Sequence, residues 1–349
     1  MRIGILTGGG DCPGLNAVIR AVVLTADLRH GDEVIGYLDG WKGVLNDEYM
    51  RLDVRRCRDI VAQGGTILGT SRTNPFKIDG GPDRVRANVL SGGVDAIIAV
   101  GGEDTLGVAQ RLGDVGVSAV GVPKTIDNDL SGTEVTFGFD TAVQIATDAI
   151  DRLRTTAESH HRVIVCEVMG RSVGWIATHA GIAGGAAEIL VPEVPFDVDK
   201  VCERLKRRHS GGQFSSIVVI SEGAVPVEGP DAESARLATS GAPADQFGHA
   251  RLGGIGAWLA QELEARTGFE ARTTTLGHIQ RGGTPSAFDR VLATRFGVAA
   301  VEALHDGAFG MMVALQAGEI VRIPIAEAVA QSKTVDLALY RNVAGVFLG

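Results

Sequence analysis

Short apolar runs rich in Val and Ile recur along the chain, separated by longer stretches with helical spacing. The runs Ile3–Leu6, Glu33–Tyr37, Ala96–Val100, Ser118–Val122, Arg162–Val168, Ser216–Ile220 and Thr273–Leu276 are predicted strands. They hardly alternate between apolar and polar, which marks strands buried on both faces of a parallel sheet. Helical stretches lie between them, among them Leu15–Arg29, Val143–Thr156 and Arg251–Thr267. Alternation of this kind predicts an α/β fold with ligands gathered at the carboxyl ends of the strands. Two strand exits look alike: Ile3–Leu6 runs into Gly8-Gly9-Gly10-Asp11, and Ala96–Val100 runs into Gly101-Gly102-Glu103-Asp104. A boundary is expected within Asn128–Gly138, dividing the chain into lobes 1–138 and 139–349, with a crossing back to the first lobe near the C-terminus. The stretch Gly223–His249, rich in Ala, Pro, Gly and Ser without clear period, reads as a surface insertion.

Composition narrows the class. A chain of 349 residues suggests two lobes, at about 150 residues each. Its 45% hydrophobic and 21% charged residues suit a folded core. The net charge of −9 argues against nucleic acid held on a general basic surface, while leaving room for a basic pocket. Aromatics are only 5%, so Val, Ile, Leu and Ala must fill the core. Cys12, Cys57, Cys166 and Cys202 are far apart and form no C-x-x-C pair, against both a zinc site and a disulfide scaffold. The opening MRIGILTGGGD lacks the features of a signal peptide, and no apolar run is long enough for a bilayer. A soluble, cytoplasmic protein with no membrane partner is expected.

Three loops carry the candidate chemistry. In Thr7–Gly14, glycines after a buried strand let backbone N–H groups approach a phosphate. Pro13 breaks the dinucleotide fingerprint, and no lysine follows a glycine as a P-loop requires. A glycine turn that merely packs is the competing reading. Gly101–Thr105 repeats the logic and adds adjacent carboxylates, suited to a hard cation that bridges phosphate oxygens. Helix capping explains one acid there and leaves the second without a role. Pro123–Asp129 (P-K-T-I-D-N-D) is the densest polar cluster. A lysine, a hydroxyl and two acids at i and i+2 can hold a phosphate and take a proton from a hydroxyl, although a solvated turn has similar composition.

Arginines at strand ends supply an anion-binding side: Arg72, Arg162, Arg171, Arg272 and the pair His278 and Arg281. Singly, each reads as a surface ion-pair partner; together, beside glycines, they suggest phosphorylated ligands. Gly170-Arg171-Ser172-Val173-Gly174 also matches G-x-S-x-G, a serine-hydrolase elbow with Ser172 as nucleophile. That reading leaves the two Gly-Gly-acid loops and Lys124–Asp129 without work.

The set Gly8–Asp11, Pro13-Gly14, Asn16, Gly69–Arg72, Gly101–Thr105, Pro123–Asp129, Met169–Arg171 and Gly277–Gly283 resembles the 6-phosphofructokinase family, in order, from Ile3 to about Arg290. The resemblance implies two Rossmann-like α/β lobes with mainly parallel sheets and the active site in the cleft between them. It implies a glycolytic phosphoryl transfer to the 1-hydroxyl of fructose 6-phosphate, with Asp127 as general base and Thr125 and Asp129 flanking the acceptor oxygen. It further implies Gly10 at the donor phosphates, Arg72 and Arg171 on the transferred group, and Mg2+ at Glu103, where the family has Asp. Sugar-phosphate recognition would fall to Arg162, Met169, Gly170, Arg171, Glu222, Arg272, His278 and Arg281. Arg162 and Arg272 would reach a neighbouring subunit of a homodimer or homotetramer.

Asp104 bears on the donor. ATP-using members carry Gly there, and a carboxylate would take the place of the α-phosphate and repel it. In a partly shielded site two unit charges ~4 Å apart interact by about 4 kcal/mol. Lys124 would be the compensating cation. The Asp104 and Lys124 pair resembles the pyrophosphate-dependent branch; ATP remains the donor if Asp104 is only a helix-start acid. The first helix keeps Arg20 but has Leu24 where a second regulatory cation would stand, so weak nucleotide regulation is expected.

Overall fold

The structure is a computed structural model that describes residues 1–239, 247 and 252–347. Its strands are β1 (Arg2–Thr7), β2 (Glu33–Tyr37), β3 (Tyr49–Leu52), β4 (Ala96–Gly101), β5 (Ala119–Pro123), β6 (Val163–Val168), β7 (Glu188–Leu190), β8 (Ser216–Ser221), β9 (Ala271–Thr275), β10 (Met311–Gln316) and β11 (Glu319–Pro324). The described chain divides into two compact units. Of the described residues, the first contains Met1–Thr141, residue 247 and Arg281–Ser332, the second 142–239, 252–280 and the segment from Lys333. Arg281–Ser332 thus groups with the first unit, a longer return than a crossing near the C-terminus.

The first unit holds a seven-stranded sheet of order β11-β10-β5-β4-β1-β2-β3. Its five inner strands run parallel, and β3 and β11 pair antiparallel at the two edges. β4 and β5 are buried along their whole length and β1 beyond its first residue, as their unbroken Val, Ile, Leu and Ala content requires. The chain leaves β1 toward β2 on one side and later fills β4 and β5 on the other. The switch point therefore lies between β1 and β4, where open α/β sheets bind ligands beyond the carboxyl ends.

The second unit holds a four-stranded parallel sheet of order β7-β8-β6-β9. β6 and β8 are wholly buried, while β9 is an edge with exposed residues. A second switch point falls between β6 and β9.

Several boundaries differ from the sequence pattern. The first helix is regular over Leu15–Thr25 and ends in a π-helical turn, Ala26–His30. The helix expected at Val143–Thr156 spans Phe139–His160, and that expected from Arg251 begins at Ile255 after Gly253 and Gly254; Arg251 lies outside the described residues. Within Gly223–His249 the helix Pro230–Thr239 forms, opened by proline and by Asp231 and Glu233 in its first turn. Residues 240–246, 248 and 249 of that stretch lie outside the described ones. All four cysteines are buried, and among the described residues no helix is long and apolar enough to cross a membrane.

Candidate active site

In the first unit, three adjacent strands deliver the three polar loops. Gly8 continues β1 by donating its N–H to Val100 O (2.9 Å). Gly9 donates to Ser71 O (3.1 Å) and accepts from Thr70 Oγ1 (2.6 Å), which ties the Arg72 segment to the glycine loop. Asn16 is buried and reinforces that tie: its Nδ2 donates to Gln63 O and Gly65 O, and its Oδ1 accepts from Ile67 N. Gly10 has no room for a side chain, because a Cβ would run into the Arg281 guanidinium. Two cations meet at this loop. Lys124 Nζ donates to Gly10 O (2.6 Å) and Arg281 Nη1 donates to Asp11 O (3.4 Å). Arg281, expected among the sugar-phosphate residues, therefore lies in the first unit against the glycine loop. Arg72 is exposed.

Lys124, at the exit of β5, is 3% exposed. Burial pushes its ammonium down to about 8; Asp11 and Asp127 work to keep the charge and Arg281 works against it. The turn that follows is closed by Thr136, whose Oγ1 donates to Thr125 O (2.7 Å) and whose N–H donates to Asn128 Oδ1 (3.1 Å). Asp127 is buried and donates its N–H to Thr125 Oγ1 (3.0 Å), while Asp129 is half-buried. The third loop opens the helix Glu103–Gly113, with Glu103 exposed and Asp104 half-buried in its first turn and no side-chain cap. The first turn thus carries two acids at a helix N-terminus, the end of a helix that favours anions. Hard oxygen donors, one or two carboxylates at a phosphate site, are what Mg2+ takes when substrate oxygens and water complete its shell. Among the described residues no three acids, histidines or cysteines converge on a closed metal site.

The second unit gathers its own loops at the carboxyl ends of β8, β6 and β9. Gly170 has φ +144°, and a Cβ there would strike Val173 O, so only glycine fits. Arg171 adopts a left-handed backbone (φ 54°), and its N–H donates to Glu222 Oε1 (3.1 Å). Glu222 is itself fixed by its N–H to Val168 O (2.9 Å). Met169 N–H donates to Oε1 of fully buried Gln280 (3.4 Å), whose Nε2 donates to Gly277 O (3.2 Å). His278 is exposed on the tight turn Gly277–Arg281. Gln280 and Asn16 are structural keys that the motifs contain without revealing; only their burial does. The left-handed strain of the G-x-S-x-G segment sits at Gly170 and Arg171 rather than at exposed Ser172, unlike the strained nucleophile of an elbow.

Arg162 and Arg272 are placed elsewhere, at the amino ends of β6 and β9. Both pair with Glu270, Arg162 Nη2 at 2.8 Å. The Arg162 guanidinium holds the Glu270 carboxyl below its usual value.

A family model described as phosphofructokinase matches residues 2–304. A pyrophosphate--fructose 6-phosphate 1-phosphotransferase of Streptomyces coelicolor is 59% identical over the whole of both chains. One of Amycolatopsis methanolica is 58% identical, again over the whole of both. An ATP-dependent 6-phosphofructokinase of Corynebacterium efficiens is 53% identical over 99% of each. Among solved structures, phosphofructokinase from Saccharomyces cerevisiae aligns with TM-score 0.80 and 32% identity over 94% of this chain and 45% of that one. A pyrophosphate-dependent phosphofructokinase from Marinobacter aquaeolei aligns with TM-score 0.81 at 22% identity over 100% and 92%, a likeness of fold.

Proposed function

Because the chain belongs to the phosphofructokinase family, we propose that it moves a phosphoryl group from inorganic pyrophosphate to the 1-hydroxyl of fructose 6-phosphate. The products are fructose 1,6-bisphosphate and phosphate, and the reaction runs in either direction in glycolysis or gluconeogenesis. The observation that carries the choice of donor is Asp104, a half-buried carboxylate in the first turn of the helix that follows β4. Pyrophosphate has no third phosphate to meet it, whereas the α-phosphate of ATP does. The names of the relatives at 57–59% identity support the same reading.

Buried Asp127 takes the proton of the 1-hydroxyl as its oxygen attacks the terminal phosphorus, and Thr125 and Asp129 flank that oxygen. The bridging P–O bond breaks, and its electron pair leaves with the departing phosphate. Such a loose transfer calls for positioning and charge stabilisation more than for covalent catalysis. Gly10 and its neighbours receive the donor phosphates, and Lys124 and Arg281 are already seated on that loop. Arg72 and Arg171 meet the charge that spreads over the transferred group. Glu103 would hold Mg2+, which would supply positive charge against the donor phosphates.

Met169, Gly170, Glu222 and His278 recognise the sugar phosphate, together with Arg171 and Arg281. Arg162 and Arg272 serve a neighbouring copy of the chain in a cytoplasmic homo-oligomer. Strand β6 is about 20 Å long at 3.3 Å per residue, so Arg162 stands a strand's length from Arg171. That separation favours a role in trans.

The test is turnover of fructose 6-phosphate with pyrophosphate and with ATP at matched concentrations. Pyrophosphate is expected to be the faster donor, strictly dependent on magnesium; faster turnover with ATP overturns the donor and leaves the family standing.

A further inference from the structure

The helix Glu103–Gly113 carries more than its two acids. Positions 104, 107 and 111 fall on one face, successive turns apart. Asp104 and Gly107 are half-buried and Arg111 is exposed. A Cβ on Gly107 would meet nothing within 4 Å, so this face is open between Asp104 and Arg111. At its far end the Arg111 guanidinium lies over the Phe76 ring, 3.6 Å from the centroid. Phe76 belongs to the short turn Pro75–Lys77 that follows the Arg72 segment. It packs against the core of the first unit, and its N–H is held by Asn74 Oδ1 (3.0 Å). The ring is thus a fixed aromatic platform, already covered by the protein's own cation.

A nucleotide held by its terminal phosphates has to continue past Asp104, the position assigned above to the clash with an α-phosphate. Asp104 and Arg111 are seven positions apart on the helix, about 10 Å at 1.5 Å per residue. The open face over Gly107 is a path of that length, and it ends on Phe76. A planar base reaching this point needs an aromatic face for stacking, and a guanidinium at 3.6 Å already takes that contact. We propose that the Arg111–Phe76 stack is a second determinant of donor choice, closing to the base of a nucleotide the aromatic platform at the end of the Asp104 face. The proposal rests on the donor reading above and extends it from the phosphates to the nucleoside. Arg111 is a specificity element that touches neither the acceptor nor pyrophosphate.

Equilibrium binding of ADP to the full-length protein tests it, using wild type, Asp104→Gly, Arg111→Ala and the double variant, with pyrophosphate turnover measured for each. Arg111→Ala alone is expected to keep pyrophosphate turnover within about twofold, as an exposed substitution outside the machinery should. The double variant is expected to bind ADP about tenfold more tightly than Asp104→Gly, the worth of one base–aromatic stack. Adding Phe76→Leu to the double variant should remove that gain. Equal affinity in the double variant and Asp104→Gly overturns the proposal, and so does weaker binding once Arg111 is removed. Failure of the donor reading shows separately, as wild-type turnover that is faster with ATP than with pyrophosphate.

Discussion

Arg162 and Arg171 flank the same strand, yet their surroundings have little in common. At the carboxyl end of β6, Gly170 and Arg171 take left-handed backbone, the Arg171 N–H is bound by Glu222, and Gln280 is buried beneath Met169. At the amino end, Arg162 and Arg272 share Glu270 on an accessible surface, where solvent screens the pairing. The β5 exit in the first unit resembles the carboxyl end: Lys124 and Asp127 are buried and tied to backbone. In both sheets the carboxyl ends invest buried polar groups and backbone strain in fixed geometry, as a reacting centre needs. The amino end of β6 keeps its arginines as long, accessible arms, suited to reaching a second body.

Lesions at the two ends should therefore fail differently. The largest effect is expected from Asp127→Asn, which keeps shape and removes the proposed base. Turnover should fall about 10²–10⁴-fold with fructose 6-phosphate binding nearly intact. Steady-state kinetics beside equilibrium binding of the sugar phosphate checks this, and full turnover would transfer the role to Asp129.

Arg162→Ala and Arg272→Ala should instead raise KM for fructose 6-phosphate about 10–100-fold, the worth of a charged hydrogen bond, with kcat little changed. Mixing Asp127→Asn with Arg162→Ala sharpens the contrast. Refolding the two together should restore activity, since some sites then combine an intact Asp127 with a partner's intact arginine. No recovery would place Arg162 in its own chain's site or outside it.

Asp104→Gly is expected to cost about tenfold in pyrophosphate turnover, one charged contact, and to admit measurable ATP turnover. Unchanged rates with both donors would remove that carboxylate from the phosphate path.

The smallest effect is a pH dependence. Lys124 is held at about 8, below the usual 10.5, by burial. In the proposed mechanism its charged form meets phosphate, so kcat/KM for pyrophosphate should decline as pH rises through about 8. Lys124→Arg should flatten that limb. Stability should move the other way: the folded state binds fewer protons than the unfolded one between about 8 and 10.5, so the cost of burying the ammonium is relieved as pH rises.

Much of this arrangement could be read in the residues. β1, β4, β5, β6 and β8 are strands buried on both faces, and an unbroken apolar run announces such a strand. β3, β7 and β11 went unseen, being short or only half-buried, so neither alternation nor a long apolar run marks them; β10 went unseen although its run Met311–Gln316 is apolar and mostly buried. The return of Arg281–Ser332 to the first unit was not legible either. Its helix Ala287–His305 would cover any parallel sheet, and only contact with the first helix decides which. Among the loops, glycine spacing marks where backbone must approach something. It does not show that Arg281 is what approaches Gly10, because that contact joins segments 270 residues apart.

The burial of all four cysteines carries a practical consequence for spectroscopy. Burial raises every one of these thiols, Cys57 to about 11, Cys166 to about 12, and Cys12 and Cys202 upward as well. The thiolate is the form that alkylating reagents attack, so near neutral pH the native chain offers them almost no target. A cysteine introduced at Leu90, which is 64% exposed on the helix Gly81–Ser91, would then take a single fluorophore without any native cysteine being replaced. The wild-type chain is thus its own cysteine-silent background for following ligand binding in solution.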